Sequence, residues 1–273
     1  MARMPFYERI SLVVSVTLLG LVTYFLIELP NRSVELTWLG SPLTLVISQR
    51  WLMALLLGGL AATGSSAIVQ SHPLLAPRGT GYSLAFWLLP ALLMILTTLA
   101  LPLMVVNLEG WMAGIGITGT LLWLVMLAEY HTIDPRDRWF ELSHFWLNLV
   151  GHGVAFGFFV IIYQARSRSL LSASGVALVS GLLAASLLRA GPAQTGRTWL
   201  FAGISALVMA QSTWALNTWR VPPLMAGFGL LLIFYLFVGL AQQELLGRLS
   251  RRALVEFGAV IALGLLAFLR FAS

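Results

Sequence analysis

Trp139-Phe-Glu-Leu-Ser-His-Phe-Trp-Leu-Asn-Leu-Val-Gly-His-Gly-Val-Ala-Phe-Gly-Phe-Phe-Val-Ile-Ile-Tyr163 is a run of 25 residues with one charged side chain, Glu141. A stretch of this length and polarity can cross the ~30 Å hydrocarbon core of a bilayer as an α-helix. Within it Glu141, His144, Asn148 and His152 are spaced 3, 4 and 4 apart, which sets all four on one helical face. His152 lies 13 residues beyond Trp139, about 20 Å along a helix axis, and so near the middle of a membrane. Ionisable groups at that depth are costly and mark functional positions. The stripe is therefore expected to face the bundle interior as the candidate site.

Eight further apolar runs flank this one, at about 10–29, 51–69, 83–104, 110–129, 170–188, 198–218, 222–242 and 253–271. With 139–163 they predict an all-α integral membrane bundle of about nine transmembrane helices. No connection is long enough for a soluble domain, so residues 1–273 read as one polytopic domain. The composition agrees: 59% of the 273 residues are hydrophobic and only 10% charged, against ~25% charged in a soluble domain. Pro90 and Pro102 predict a kinked third helix. Small residues four apart, at Gly58, Ala62 and Ser66 and at Ala173, Ala177, Gly181 and Ala185, mark faces where helices pack closely.

The same composition closes several chemistries. All 16 basic residues are Arg, so no lysine can form a Schiff base or serve a P-loop. Cys is absent, which removes disulfides, thiolate nucleophiles and iron–sulfur ligation. A net charge of +6 would suggest nucleic acid for a soluble domain. Here single Arg residues punctuate apolar runs, a pattern of membrane orientation, so the bilayer is the expected partner and nucleic acid is not. Ten Arg fall on the side holding the N-terminus and six on the other, which predicts an inner N-terminus and, with nine helices, an outer C-terminus. Trp51, Trp111, Trp139, Trp199 and Trp219 fall at segment ends, as interfacial indoles do. The first run ends in Glu28-Leu29-Pro30-Asn31 without a small-x-small cleavage site and reads as a retained helix.

The connection at 31–50 has a different period. Val34, Leu36 and Trp38 alternate with Ser33, Glu35 and Thr37, and Leu43, Leu45 and Ile47 alternate with Thr44 and Ser48. Alternation on both sides of Gly40-Ser41 predicts an extracytoplasmic β-hairpin between helices 1 and 2, turning at that pair.

Other polar groups are candidate partners of the stripe: Glu129 and His131 at the end of the fourth run, and Gln211 and Asn217 in the seventh. Glu129, His131, Glu141 and His144 together carry carboxylate and imidazole donors suited to zinc or iron. Glu141-x-x-His144 matches half of a di-iron Glu-x-x-His pattern, and the other half is missing. His144 and His152, about 12 Å apart on one helix, cannot clamp one haem iron, and no cofactor is expected. Gly64-Ser65-Ser66 resembles a serine nucleophile only superficially, and Gln242-Gln243-Glu244 reads as an orienting, headgroup-facing segment.

Trp214-Ala-Leu-Asn217 and Tyr235-Leu-Phe-Val-Gly239-Leu-Ala-Gln-Gln-Glu-Leu-Leu-Gly247-Arg-Leu-Ser-Arg-Arg252 resemble an uncharacterised family of bacterial multi-pass membrane proteins of unknown function. The resemblance covers the last quarter of the chain. It implies membrane location and no assigned activity, and carries over no functional residue; a bacterial cytoplasmic (inner) membrane is the expected location. Three functions follow in order: a non-enzymatic accessory or scaffold subunit of a membrane complex, a small-solute or proton-coupled transporter using the stripe, and a membrane metalloprotein or enzyme.

Overall fold

The computed structural model describes residues 6–26, 32–38, 41–72, 74, 85–104, 107–165, 169–189, 194–219, 221–247 and 249–272. Nine helices occur among them: α1 Phe6–Leu26, α2 Gln49–Gln70, α3 Ala85–Met104, α4 Leu108–His131, α5 Phe140–Gln164, α6 Ser169–Leu187, α7 Thr195–Asn217, α8 Pro223–Leu245 and α9 Arg251–Ala272. Eight of them, α1 to α8, are long and apolar enough to cross a membrane. The ninth expected span is corrected in its extent. α9 is helical, but its described apolar stretch is Leu254–Leu266. It nonetheless runs back along α8, since Gly239, Leu232 and Gly229 meet Phe257, Gly264 and Phe268 in antiparallel order.

Between α1 and α2, strands β1 (Arg32–Trp38) and β2 (Ser41–Ile47) pair antiparallel, with Val34 opposite Leu45 and Leu36 opposite Leu43. Trp38 stands opposite Ser41, so the connection is at positions 39–40, not at Gly40-Ser41. Those two positions lie outside the described residues.

The core follows from helices whose apolar residues are too many for one stripe. α3 and α5 sit centrally, touching α2, α4, α6 and α8 between them. Phe159 of α5 and Phe234 of α8, both fully buried, meet edge to face at 5.9 Å, the arrangement that ring quadrupoles favour. The small-residue faces are internal contacts. A Cβ on Gly58 would stand 2.6 Å from Ile95 and 3.2 Å from the Ala91 carbonyl of α3, and one on Gly181 would stand 3.1 Å from Ala206 of α7. α8 ends on Gly247, whose φ of 63° places it in the left-handed region. A residue there caps a helix at least cost when it has no Cβ. Trp51, Trp139 and Trp219 are exposed at helix ends, whereas Trp111 is buried against the Phe25 ring, 4.0 Å away.

Candidate functional site

The short connections place the ends of α2, α4, α6 and α8 and the starts of α3, α5, α7 and α9 at one end of the bundle. The polar side chains converge there. Glu129, two residues before the end of α4, has no solvent exposure. A carboxyl so placed needs compensating partners. Ser65 Oγ of α2 lies 3.0 Å from Glu129 Oε2 and 3.3 Å from the Phe86 carbonyl, so its one proton serves two acceptors. Arg189, just past α6, brings Nη2 to 3.8 Å from Glu129 Oε1, donates from Nε to the Ser186 carbonyl at 2.8 Å, and lies over the Phe86 ring at 4.0 Å. A planar guanidinium is suited to joining ring, carbonyl and carboxyl in this way. Four segments thus meet on one buried carboxyl.

Next to Arg189 lies a cavity of about 30 Å³, walled by Thr132, His144, Asn148, Ser186 and Phe86 among others. That is room for one or two waters. Ser186 Oγ is buried without a hydrogen-bond partner among the described residues. On its far side the Asn148 amide donates to His144 Nδ1 at 2.9 Å and to the His144 carbonyl at 3.0 Å. Its oxygen accepts from Gln242 Nε2 of α8 at 2.9 Å, and that nitrogen also reaches the Leu187 carbonyl of α6 at 3.1 Å. The Asn148 orientation follows from this network, since each of its atoms finds a partner of the right kind. One turn further, His152 Nδ1 is 2.8 Å from the Asn148 carbonyl. A carbonyl only accepts, so Nδ1 carries the proton. Nε2 is left as a buried lone pair without a partner among the described residues, with the Phe234 and Tyr235 rings 5.5 and 5.7 Å from the imidazole.

Several expected groupings are corrected. Glu141 is exposed on the first turn of α5, so the stripe contributes His144, Asn148 and His152 alone. Gln211 is also exposed, on the outer side of α7, and Asn217 donates to Ser172 of α6 at 2.8 Å; neither faces the stripe. Glu129, His131, Glu141 and His144 do not gather as metal donors. Glu129 turns to Ser65 and Arg189, while His131 Nδ1 pairs with Asp137 at 2.7 Å. No three His, Asp or Glu side chains among the described residues converge to hold a metal ion. In the α4–α5 turn the Trp139 backbone N–H, and after it His131, hold the Asp137 carboxyl below its ordinary pKa.

Three residues of the cluster escape a reading by runs and stripes. Ser65 sits in a commonplace Gly-Ser-Ser triplet, Arg189 counts toward orientation, and Gln242 belongs to a terminal polar segment. The available signal is depth, because each lies within about one and a half turns of a helix end on the same face of the bundle as Glu129.

The sequence profile of DUF5656, described as a protein of unknown function, matches residues 29–270, most of the chain and not only its last quarter. The chain belongs to that family. No curated protein and no solved structure matches it.

Proposed function

We propose that this DUF5656 protein is a non-enzymatic membrane-spanning subunit, whose polar cluster locks one end of the bundle while its flanks receive other membrane components. The division of space supports this reading. The cavity beside Arg189 measures about 30 Å³, whereas concavities of about 330–530 Å³ open on the flanks, at α6–α7, at α1–α4–α5 and on both sides of α9, one of these last reaching Asn148, His152 and Gln242 of the cluster. Sites for small molecules need ~300–1,000 Å³, so the cavity beside Arg189 is too small for a solute, while the flank concavities have room for a chain or a helix edge. On this reading the chain performs no reaction of its own. A photo-crosslinker at Leu171 or Leu178, both exposed on α6, is expected to capture one fixed membrane protein in native membranes. Capture of lipid alone would sink the subunit reading.

A second reading, passage of protons or a small solute, is favoured by the continuity of the polar seam from Ser65 through Glu129 and Arg189 to Asn148 and Gln242. Purified protein in liposomes under an imposed pH gradient decides between the two. Leak equal to that of empty vesicles fits the subunit. A flux abolished by Glu129→Gln overturns it in favour of transport.

The excess of Arg on the side of the polar cluster supports an inner N-terminus in a bacterial cytoplasmic membrane, and the antiparallel return of α9 along α8 supports an outer C-terminus. Reporter fusions should therefore give opposite signals at the two ends. Equal signals would mean that α9 does not cross.

A further inference from the structure

We infer that the groove between α4 and α5, walled at its mouth by the start of α1, is a binding site for an anionic phospholipid. Its volume is about 530 Å³, and its lining changes character along its length. At the mouth, beside the α4–α5 turn, stand Tyr7, Arg138 and Trp139. Deeper in, Leu127, Trp123 and Trp146 form an apolar wall. Trp146 lies six residues into α5 from Phe140, about 9 Å of helix, and Trp123 eight before His131 on α4, about 12 Å. That is the profile of a phospholipid: a charged group at the interface with chains below it.

The charge of the mouth fits an anion. No Asp or Glu is among the lining residues, although the neighbouring turn carries Asp134 and Asp137. Both acids are tied back: Asp134 accepts from the Arg136 backbone N–H at 2.9 Å, and Asp137 accepts from that of Trp139 at 2.9 Å while its other oxygen pairs with His131. Arg138 forms no ion pair among the described residues, although its charge also acts on the neighbouring Asp137 carboxyl. Its guanidinium lies 4.8 Å over the Trp139 ring and leaves its N–H groups free for a phosphate. Trp139 itself is exposed, as an indole at headgroup depth is.

The groove is one of the flank concavities of the subunit reading, and the two are tested apart, that reading at α6 and the lipid site here. The test uses the purified full chain in a non-ionic detergent, offered phosphatidylglycerol and phosphatidylcholine with the same acyl chains, and native mass spectrometry counts the retained lipid. The wild-type chain should retain phosphatidylglycerol about fivefold better, the effect of one basic residue at an anionic surface. Arg138→Gln should lose that preference. Arg138→Lys, which keeps the charge, and Arg136→Gln, which changes an exposed Arg outside the groove, should retain it, with unchanged melting temperatures certifying the fold. Equal retention of the two lipids by the wild type, or a preference that survives Arg138→Gln, overturns the proposal. So does a photo-crosslinker at Leu142, on the groove wall, that reacts with a protein chain and not with lipid.

Discussion

Arg189→Met should lower stability by about 3–5 kcal/mol, the usual cost of removing one partner from a buried ion pair. The replacement fills similar space but takes away the cation 3.8 Å from a carboxyl that has no solvent exposure, and the donor to the Ser186 carbonyl with it. Glu129→Leu made in the Arg189→Met background should recover most of the loss, because the double variant has no buried charge to compensate. The two effects are thus strongly non-additive, as expected for groups that share one network. Reversible unfolding in mixed micelles across the four proteins of the cycle measures this. Additive costs would dissolve the coupling. A cost below about 1 kcal/mol for Arg189→Met would mean that the carboxyl is held by Ser65 alone, as a neutral hydrogen-bonding group.

Gly58→Leu should be nearly as severe, at about 3 kcal/mol or loss of folded protein. Overpacking usually costs 1–3 kcal/mol when neighbours can shift. Here a Cβ meets both the Ile95 side chain and the backbone carbonyl of Ala91, and a backbone in mid-helix yields little. Gly59→Leu is the matched control. Its position is exposed and a Cβ there meets nothing within 4 Å, so the change should lie within about 0.5 kcal/mol. Both variants add the same atoms to adjacent residues of one helix. Any difference between their thermal midpoints in detergent therefore reports the α2–α3 contact and not helix propensity. Equal midpoints would show that α2 and α3 are not so closely packed.

The architecture was legible from the apolar runs because a long apolar run is a one-dimensional signal. A run of about twenty apolar residues without charge has few alternatives to a helix, and each of the nine runs corresponds to a helix. The close-packing role of Gly58 and Gly181 was legible for a similar reason, since only small side chains let two backbones approach. His144, Asn148 and His152 could be placed on one face because helical period alone sets that relation, and one backbone carries all three.

What period cannot say is which face of another helix arrives opposite. Rotation of α7 turns Gln211 outward and joins Asn217 to Ser172, and rotation of α8 brings Gln242 to Asn148. Glu141 and His144 share a stripe in the sequence, yet no neighbouring helix among the described residues covers Glu141 on the first turn of α5, which leaves its carboxylate outside the cluster. Glu129, Ser65 and Arg189 are separated by 64 and 60 residues and belong to two helices and the segment just past a third, with no shared periodicity. Only the packing of α2, α4 and α6 at one end makes them a site, because a buried carboxyl is compensated by whatever donors the neighbouring helix ends supply.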